Sequence, residues 1–203
     1  MKNFFNTKSE IVARNLLGLI IVRKIKNIKL KAKIVETEAY FDENDPASRA
    51  RQNGDLRNTM LMPPGTILVY GVHNNWLVNF VAEKKNKAGA VLIRAVEPIN
   101  FNKKCNGPGL LTRALKIDKA FHKKDILSNK EFWIEDFNDN KKDIDNNLDS
   151  NQQAKKDSHH KNNSLLTNKK NFEITKSFRI GVKKDLPRKL RFYIKDNKFI
   201  SRK

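Results

Sequence analysis

The sequence predicts an α+β fold: a single domain built on a mostly antiparallel β-sheet with short helices beside it. Three observations predict it. Leu30, Ala32 and Ile34 alternate with Lys29, Lys31 and Lys33, the period-two pattern of a half-buried strand. Residues 90–96 are nearly uninterrupted apolar sequence, broken only by Arg94, as in a strand buried on both faces. Short apolar runs are joined by basic or charged turns at 24–29 and 83–87, so neighbouring strands run antiparallel. With 203 residues the chain is long enough for one domain with a sizeable core.

Each element follows in order. Residues 10–17 predict a short helix, with Ser9 as its cap and Gly18 ending it. A strand at 19–22, the turn at 24–29 and a long strand up to Tyr40 come next. Residues 41–65 read as an irregular loop, with Pro46, Gly54, Pro63, Pro64 and Gly65. A loop that long inside a compact domain is more often functional than idle, and it carries Arg49, Arg51 and Arg57. Strands are expected at 66–70, 76–82 and 90–96. Asn106-Gly107-Pro108-Gly109 opens a helix near 110–115, whose N-terminus suits phosphate. Residues 120–137 read as ordered around Phe121, Phe132, Trp133 and Phe137. Residues 138–171 hold nine Asn and only five Ala, Ile or Leu, too little apolar surface to fold alone. We read them as a disordered or low-complexity insertion within a domain spanning 1–203. Order resumes at Phe172, and a last strand is expected at 190–194.

The net charge is +20 and the isoelectric point about 10.0. The 138–171 tract, with seven Lys and five Asp, accounts for +2, which leaves +18 elsewhere. An anionic partner follows, with nucleic acid ahead of a membrane surface. A single cysteine, Cys105, excludes a disulfide framework and a cysteine-based zinc site. His73, His122, His159 and His160 are too scattered for a metal cluster, so neither metal nor cofactor is expected. The longest apolar run, residues 16–22, is far short of the ~20 residues that cross a bilayer. The N-terminal residues lack a signal pattern, and a cytoplasmic, nucleoid-associated protein is expected.

Residues 33–40 draw the most attention. Continuing the period, Ile34, Glu36, Glu38 and Tyr40 share one face, and Val35, Thr37 and Ala39 the other. Two carboxylates about 7 Å apart on a buried strand must be hydrogen-bonded or put to use. Taken alone they also read as edge charges of a strand that surfaces at its end. Arg94, inside an apolar strand, needs an acidic partner, for which Glu38 is the natural candidate.

The ordered motifs around this segment carry a resemblance. Glu36-Thr37-Glu38-Ala39-Tyr40 is followed by Asp45-Pro46-Ala47-Ser48, Leu56-Arg57-Asn58, Pro63-Pro64-Gly65-Thr66 and Leu68-Val69-Tyr70. Then come Leu92-Ile93-Arg94-Ala95-Val96-Glu97-Pro98, Asn106-Gly107-Pro108-Gly109, Arg179-Ile180-Gly181-Val182 and Leu190-Arg191-Phe192-Tyr193. The series resembles the alkyladenine (3-methyladenine) DNA glycosylase family over most of 9–137 and 172–201. The resemblance implies a curved, mostly antiparallel sheet flanked by helices, like the C-terminal domain of a formyltransferase. It implies a monomer that flips alkylated or deaminated purines out of double-stranded DNA and hydrolyses the glycosidic bond. Glu38 then looks like the base that activates water, and Arg94 like its support. Tyr40 and Tyr70 look like stacking walls and Asn79 like the pocket floor. Arg51, Arg57 and Asn58 would meet the DNA backbone. No lysine matches a Schiff-base position, so an abasic site without strand cutting is implied.

The sequence departs from the family in three places. The third pocket residue, usually a histidine, is Arg49, whose charge would repel a cationic base unless it turned outward to a phosphate. The usual tyrosine wedge falls in Tyr70-Gly71-Val72-His73-Asn74-Asn75-Trp76, one residue shorter, with His73 nearest the wedge position. The stretch between Glu97 and Cys105 is shortened, and 138–171 is added. These departures support a second reading, a catalytically weakened or inactive nucleic-acid binder on the same scaffold. An RNA-binding module is a third, by fold analogy only.

Overall fold

The computed structural model describes residues 2–136 and 171–202. Phe137 and the expected insertion, Asn171 apart, lie outside the described residues. The chain begins with α1 (Lys2–Phe5) and α2 (Ser9–Leu16), then β1 (Ile20–Ile25) and β2 (Ile28–Tyr40). A 3₁₀ turn (Arg49–Arg51) and α3 (Asp55–Met60) lead to β3 (Ile67–Val72), β4 (Asn75–Val81) and β5 (Ala90–Pro98). After α4 (Pro108–Ala114) and a second 3₁₀ turn (Lys119–Phe121) come β6 (Phe132–Glu135), β7 (Ile174–Ser177) and β8 (Arg191–Ile194).

These strands form one curled antiparallel sheet in the order β3-β4-β5-β2-β1-β6, the α+β class expected. The thirteen-residue β2 is its spine. The first half of β2 pairs with β1, and Glu36, Thr37 and Glu38 pair with β8, which in turn pairs with β7. The other edge of β2 pairs with β5 between Ala32 and Tyr40. The core is apolar and partly aromatic: Phe5, Phe80, Phe132 and Phe121 follow one another at centroid separations of 5.9, 6.0 and 5.6 Å. No helix among the described residues is long and apolar enough to cross a membrane.

The structure corrects the sequence reading at four points. First, Ser9 does not cap α2. Its own amide donates to Glu83 Oε1 at 2.8 Å, so a carboxylate 74 residues away caps the helix. Gly18 does end the helix, at φ 89°, and a Cβ there would sit 2.7 Å from the Phe172 ring. Second, the 41–65 loop is not irregular throughout. It holds the Arg49–Arg51 turn and α3. His122 pins α3: its Nδ1 accepts from the Val69 amide at 3.1 Å, so Nε2 carries the hydrogen that meets Asp55 Oδ2 at 2.8 Å. Third, the basic hairpin turn is tighter than expected, because β1 and β2 run on to Ile25 and Ile28.

Fourth, β2 changes face midway. Ile34 pairs with Val96 and Glu36 with Ala95, which leaves Val35 unmatched, and Arg94 is skipped on the next step. The two bulges cancel, and Glu38 pairs with Leu92 in the original register. Before Val35 the even-numbered Ala32 and Ile34 belong to the core, and from Val35 onward the odd-numbered Val35 and Ala39 do. Thr37 Oγ1, on the same side, donates to the Ala13 carbonyl of α2 at 2.8 Å. Glu36, Glu38 and Tyr40 are thereby turned away from the core beneath α2. The acidic face is therefore not a continuation of the face that carries Ile34.

Candidate functional site

A cavity of about 810 Å³ opens on the face to which β2 and β5 present Tyr40, Leu92 and Arg94. Tyr70 on β3, His73 on the β3–β4 turn and Arg49 also line it, as do Ile180, Gly181 and Lys183. With Pro108 and Gly109 of α4, five separate stretches of chain converge on one cavity.

Glu38 lies directly behind its wall. The side chain has no exposed surface of its own, but all three of its partners line the cavity. Oε1 accepts from the Ile180 amide at 2.8 Å and meets Arg94 Nη1 at 3.3 Å. Oε2 accepts from the Tyr40 hydroxyl at 2.8 Å. A carboxylate has about four acceptor positions, so Oε2 keeps one more for a further donor such as water. Arg94 closes the arrangement by donating from Nη1 to the Ile180 carbonyl at 3.3 Å. Gly181 makes this possible: at φ 75° the chain turns so that both polar groups of Ile180 face the site.

Arg94 is held from behind as well. Its Nε lies 3.2 Å from Glu36 Oε1 and 3.4 Å from Ser201 Oγ. Glu36, also without exposed surface, takes Arg191 Nε at 2.7 Å and the Ser201 amide at 2.5 Å. Two carboxylates and two guanidiniums therefore form one closed network, in which each buried charge has an opposite one. The expected pairing of Arg94 with Glu38 is present, and Glu36 shares it.

Burial raises the pKa of Glu38, and the Glu36 charge adds to this. Arg94, the Ile180 amide and the Tyr40 hydroxyl oppose the rise without cancelling it. Burial, then the neighbouring Glu38, pushes the Tyr40 hydroxyl well above its usual range, so it remains a donor. A base must be ionised to act. Activity that depends on Glu38 should therefore fall as pH drops through a value above the ordinary carboxylate one. Tyr40→Phe removes a hydrogen bond that favours the ionised form. We expect the acid limb of its single-turnover rate profile, measured between about pH 4 and 8, to move to higher pH than wild type. An unmoved limb would exclude Glu38 as the titrating group.

Tyr40 is fixed by a residue the sequence reading did not single out. The Arg179 guanidinium lies 4.5 Å from the Tyr40 ring centre, and all five of its N–H directions are engaged. Nη1 donates to Asp45 Oδ2 at 2.7 Å and to the Ala39 carbonyl at 2.9 Å. Nη2 donates to Asp45 Oδ1 at 2.7 Å and to Asp185, and Nε donates to Asp185 Oδ1 at 2.9 Å. Asp45 in turn accepts from the Phe41 and Ala47 amides at 3.0 Å each, which shapes the loop that delivers Arg49. The only sequence signal was the place of Arg179 in the Arg179-Ile180-Gly181-Val182 motif.

The other candidates divide. Arg49, Arg51, Tyr70 and His73 all line the cavity. Arg49 does not turn away from it: its guanidinium carbon sits 5.0 Å from the Tyr70 ring centre. His73 and Asn74, at φ 46° and 57°, form a two-residue turn that leaves His73 exposed at the tip. The turn is braced by Asn75, which donates to the His73 carbonyl and accepts from Arg113, each at 2.8 Å. α4 approaches so closely that a Cβ on Gly109 would meet Asn75 at 2.7 Å. Asn79 is not on the cavity surface. It is 2% exposed, and its amide donates to the Leu68 carbonyl at 3.1 Å. It shares a cross-strand row with Leu92 and Glu38 but is covered. Arg57 is half-buried and ion-paired with Glu43 at 3.7 Å, away from the cavity lining, while Asn58 is exposed on α3.

Comparison with known proteins agrees with the motifs. The profile of the family described as "Methylpurine-DNA glycosylase (MPG)" matches residues 3–149. A relative from Clostridium perfringens strain 13 is 34% identical, with 100% of this chain and 98% of the relative covered. One from Aeropyrum pernix is 34% identical over 99% of this chain and 92% of its own length. One from Borrelia garinii subsp. bavariensis is 36% identical over 98% of each. All three carry the name "Putative 3-methyladenine DNA glycosylase". A family match over more than half the chain, with relatives aligned over nearly all of it, establishes that the chain belongs to the methylpurine-DNA glycosylase family of DNA-repair proteins.

Proposed function

We propose that this protein removes alkylated or deaminated purines from duplex DNA by hydrolysing the N-glycosidic bond, leaving free base and an abasic site. The observation that carries this reading is Glu38, fixed by Arg94, the Ile180 amide and Tyr40 behind a cavity with tyrosines in its wall. A base inside a duplex is out of reach, so it must leave the stack and enter a pocket. The Tyr40 and Tyr70 rings supply flat surfaces against which a purine would stack. Breaking the bond builds positive charge on the sugar, which a nearby carboxylate steadies. Glu38 Oε2 then takes a proton from the attacking water, while Arg94 and the Ile180 amide hold Oε1 still. His73, at the tip of a braced turn, would fill the gap in the stack.

The exposed cations near the cavity, Arg51, Lys183 and Lys184, would lie against phosphates, with Asn58 beside them. We place the enzyme in the cytoplasm with the nucleoid, acting as a monomer. Incubation with duplexes carrying ethenoadenine, hypoxanthine or 3-methyladenine-type damage, followed by alkali, tests the proposal. Strands should break only after alkali, and borohydride should trap no covalent complex. Breakage without alkali would make it a lyase, and no breakage at all would sink the reading. Three to five phosphate contacts predict that log affinity falls with log salt at a slope of about −3 to −5, measured by anisotropy between about 50 and 200 mM.

The second reading, a non-catalytic binder, is favoured by the lack of exposed Glu38 surface and by Arg49 in the cavity. The same assay separates the two, since a binder retains the duplex and leaves every base in place.

A further inference from the structure

Arg49 brings an uncompensated charge to the proposed base pocket. Its backbone is held firmly: Ser48 Oγ accepts from the Ala50 amide at 3.0 Å and donates to the Phe41 carbonyl at 2.5 Å. The guanidinium lies over Tyr70, and both side chains line the same cavity. The cavity's other arginine near Glu38, Arg94, is neutralised by two carboxylates. Arg179, behind Tyr40, is neutralised by Asp45 and Asp185. Among the described residues no carboxylate lies within 4.0 Å of the Arg49 guanidinium.

Two consequences follow for a purine in the cavity. A base with a fixed positive charge would meet a like charge across a few ångströms of partly desolvated space. It would also find the Tyr70 ring already engaged by a guanidinium, which lessens the attraction that a free ring offers a cation. A neutral purine suffers neither effect. If it presents a keto oxygen or an unprotonated ring nitrogen, Arg49 can donate to it.

We propose that Arg49 is a specificity-determining residue that selects neutral, acceptor-bearing purine lesions against purines carrying a fixed positive charge. The proposal rests on the base-excision reading above and narrows its substrate class.

The test compares two lesions on one protein sample, so that any loss of folded protein cancels. Hypoxanthine in an oligonucleotide duplex represents the neutral class. DNA methylated with dimethyl sulfate, with release of 3-methyladenine and 7-methylguanine measured, represents the cationic class. Wild type, Arg49→Gln and Arg49→Lys are compared by the ratio of cationic to neutral kcat/KM. We expect Arg49→Gln to raise that ratio about tenfold or more, the effect of a like charge at this distance in an intermediate dielectric. Arg49→Lys, which keeps the charge, should hold the ratio near the wild-type value. An Arg49→Gln ratio within threefold of wild type, with both lesions still excised, overturns the proposal and leaves the glycosylase reading intact. Wild type that excises neither lesion overturns both.

Discussion

Glu38→Gln should excise damaged purines about 10²–10⁴-fold more slowly than wild type in single-turnover assays, the usual contribution of a positioned general base. Affinity for the same duplex should change little. The amide keeps the shape of the carboxylate, and its oxygen can still accept from the Ile180 amide and Arg94. Arg94 retains Glu36 as an opposite charge, so the substitution does not strand a buried cation. The contrast between lost rate and kept affinity is what separates a chemical role from a structural one. A variant that excises within about threefold of wild type would remove Glu38 from the mechanism, whatever its burial.

Arg179→Met should be the most destabilising single change near the site. It removes five donors at once and leaves Asp45 with no charged partner and Asp185 half-satisfied. Removing one member of a buried ion pair costs about 3–5 kcal/mol. In a chain of this size that corresponds to a fall in Tm of about 6–20 °C by calorimetry. Lysine should not restore it, because one ammonium cannot reproduce the fork that grips both Asp45 oxygens. The pH dependence follows from Asp45. Burial alone would raise its pKa, but the Arg179 hydrogen bonds and two backbone amides bring it below the ordinary value. A depressed carboxylate stabilises the fold above its unfolded pKa, and that stabilisation is lost as pH falls through the folded one. The wild type should therefore lose more stability than Arg179→Met on going from neutral to acid pH. Equal losses would show that the pair contributes nothing to folding.

What could be read from the sequence was local. Alternation at 29–34 and the apolar run at 90–96 located β2 and β5, and the motif at 36–40 located Glu38 and Tyr40. Arg94 could be matched to an acid because a charge in an apolar strand must have one. What escaped was contact at long range. Val35 has the side chain of any strand residue, and no glycine marks the bulge that turns Glu38 away from the core. Nothing near Ser9 shows that Glu83 caps its helix. Asn79 was placed by spacing, and spacing does not reveal that its amide serves a neighbouring strand. Arg179 stood in a quoted motif, but its role was not legible until the fold put it beside Tyr40.

The Ile180 amide that fixes Glu38 belongs to a residue 142 positions further along the chain. At about 5–20 residues per second, a ribosome makes the second of these roughly 7–30 s after the first. By the later part of that interval the emerging polypeptide carries Glu38, β1, β2 and β5, yet lacks the Ile180 turn and β8. A chain translated only that far is thus without the amide that holds Glu38, and on the reading proposed above it could not yet act on DNA.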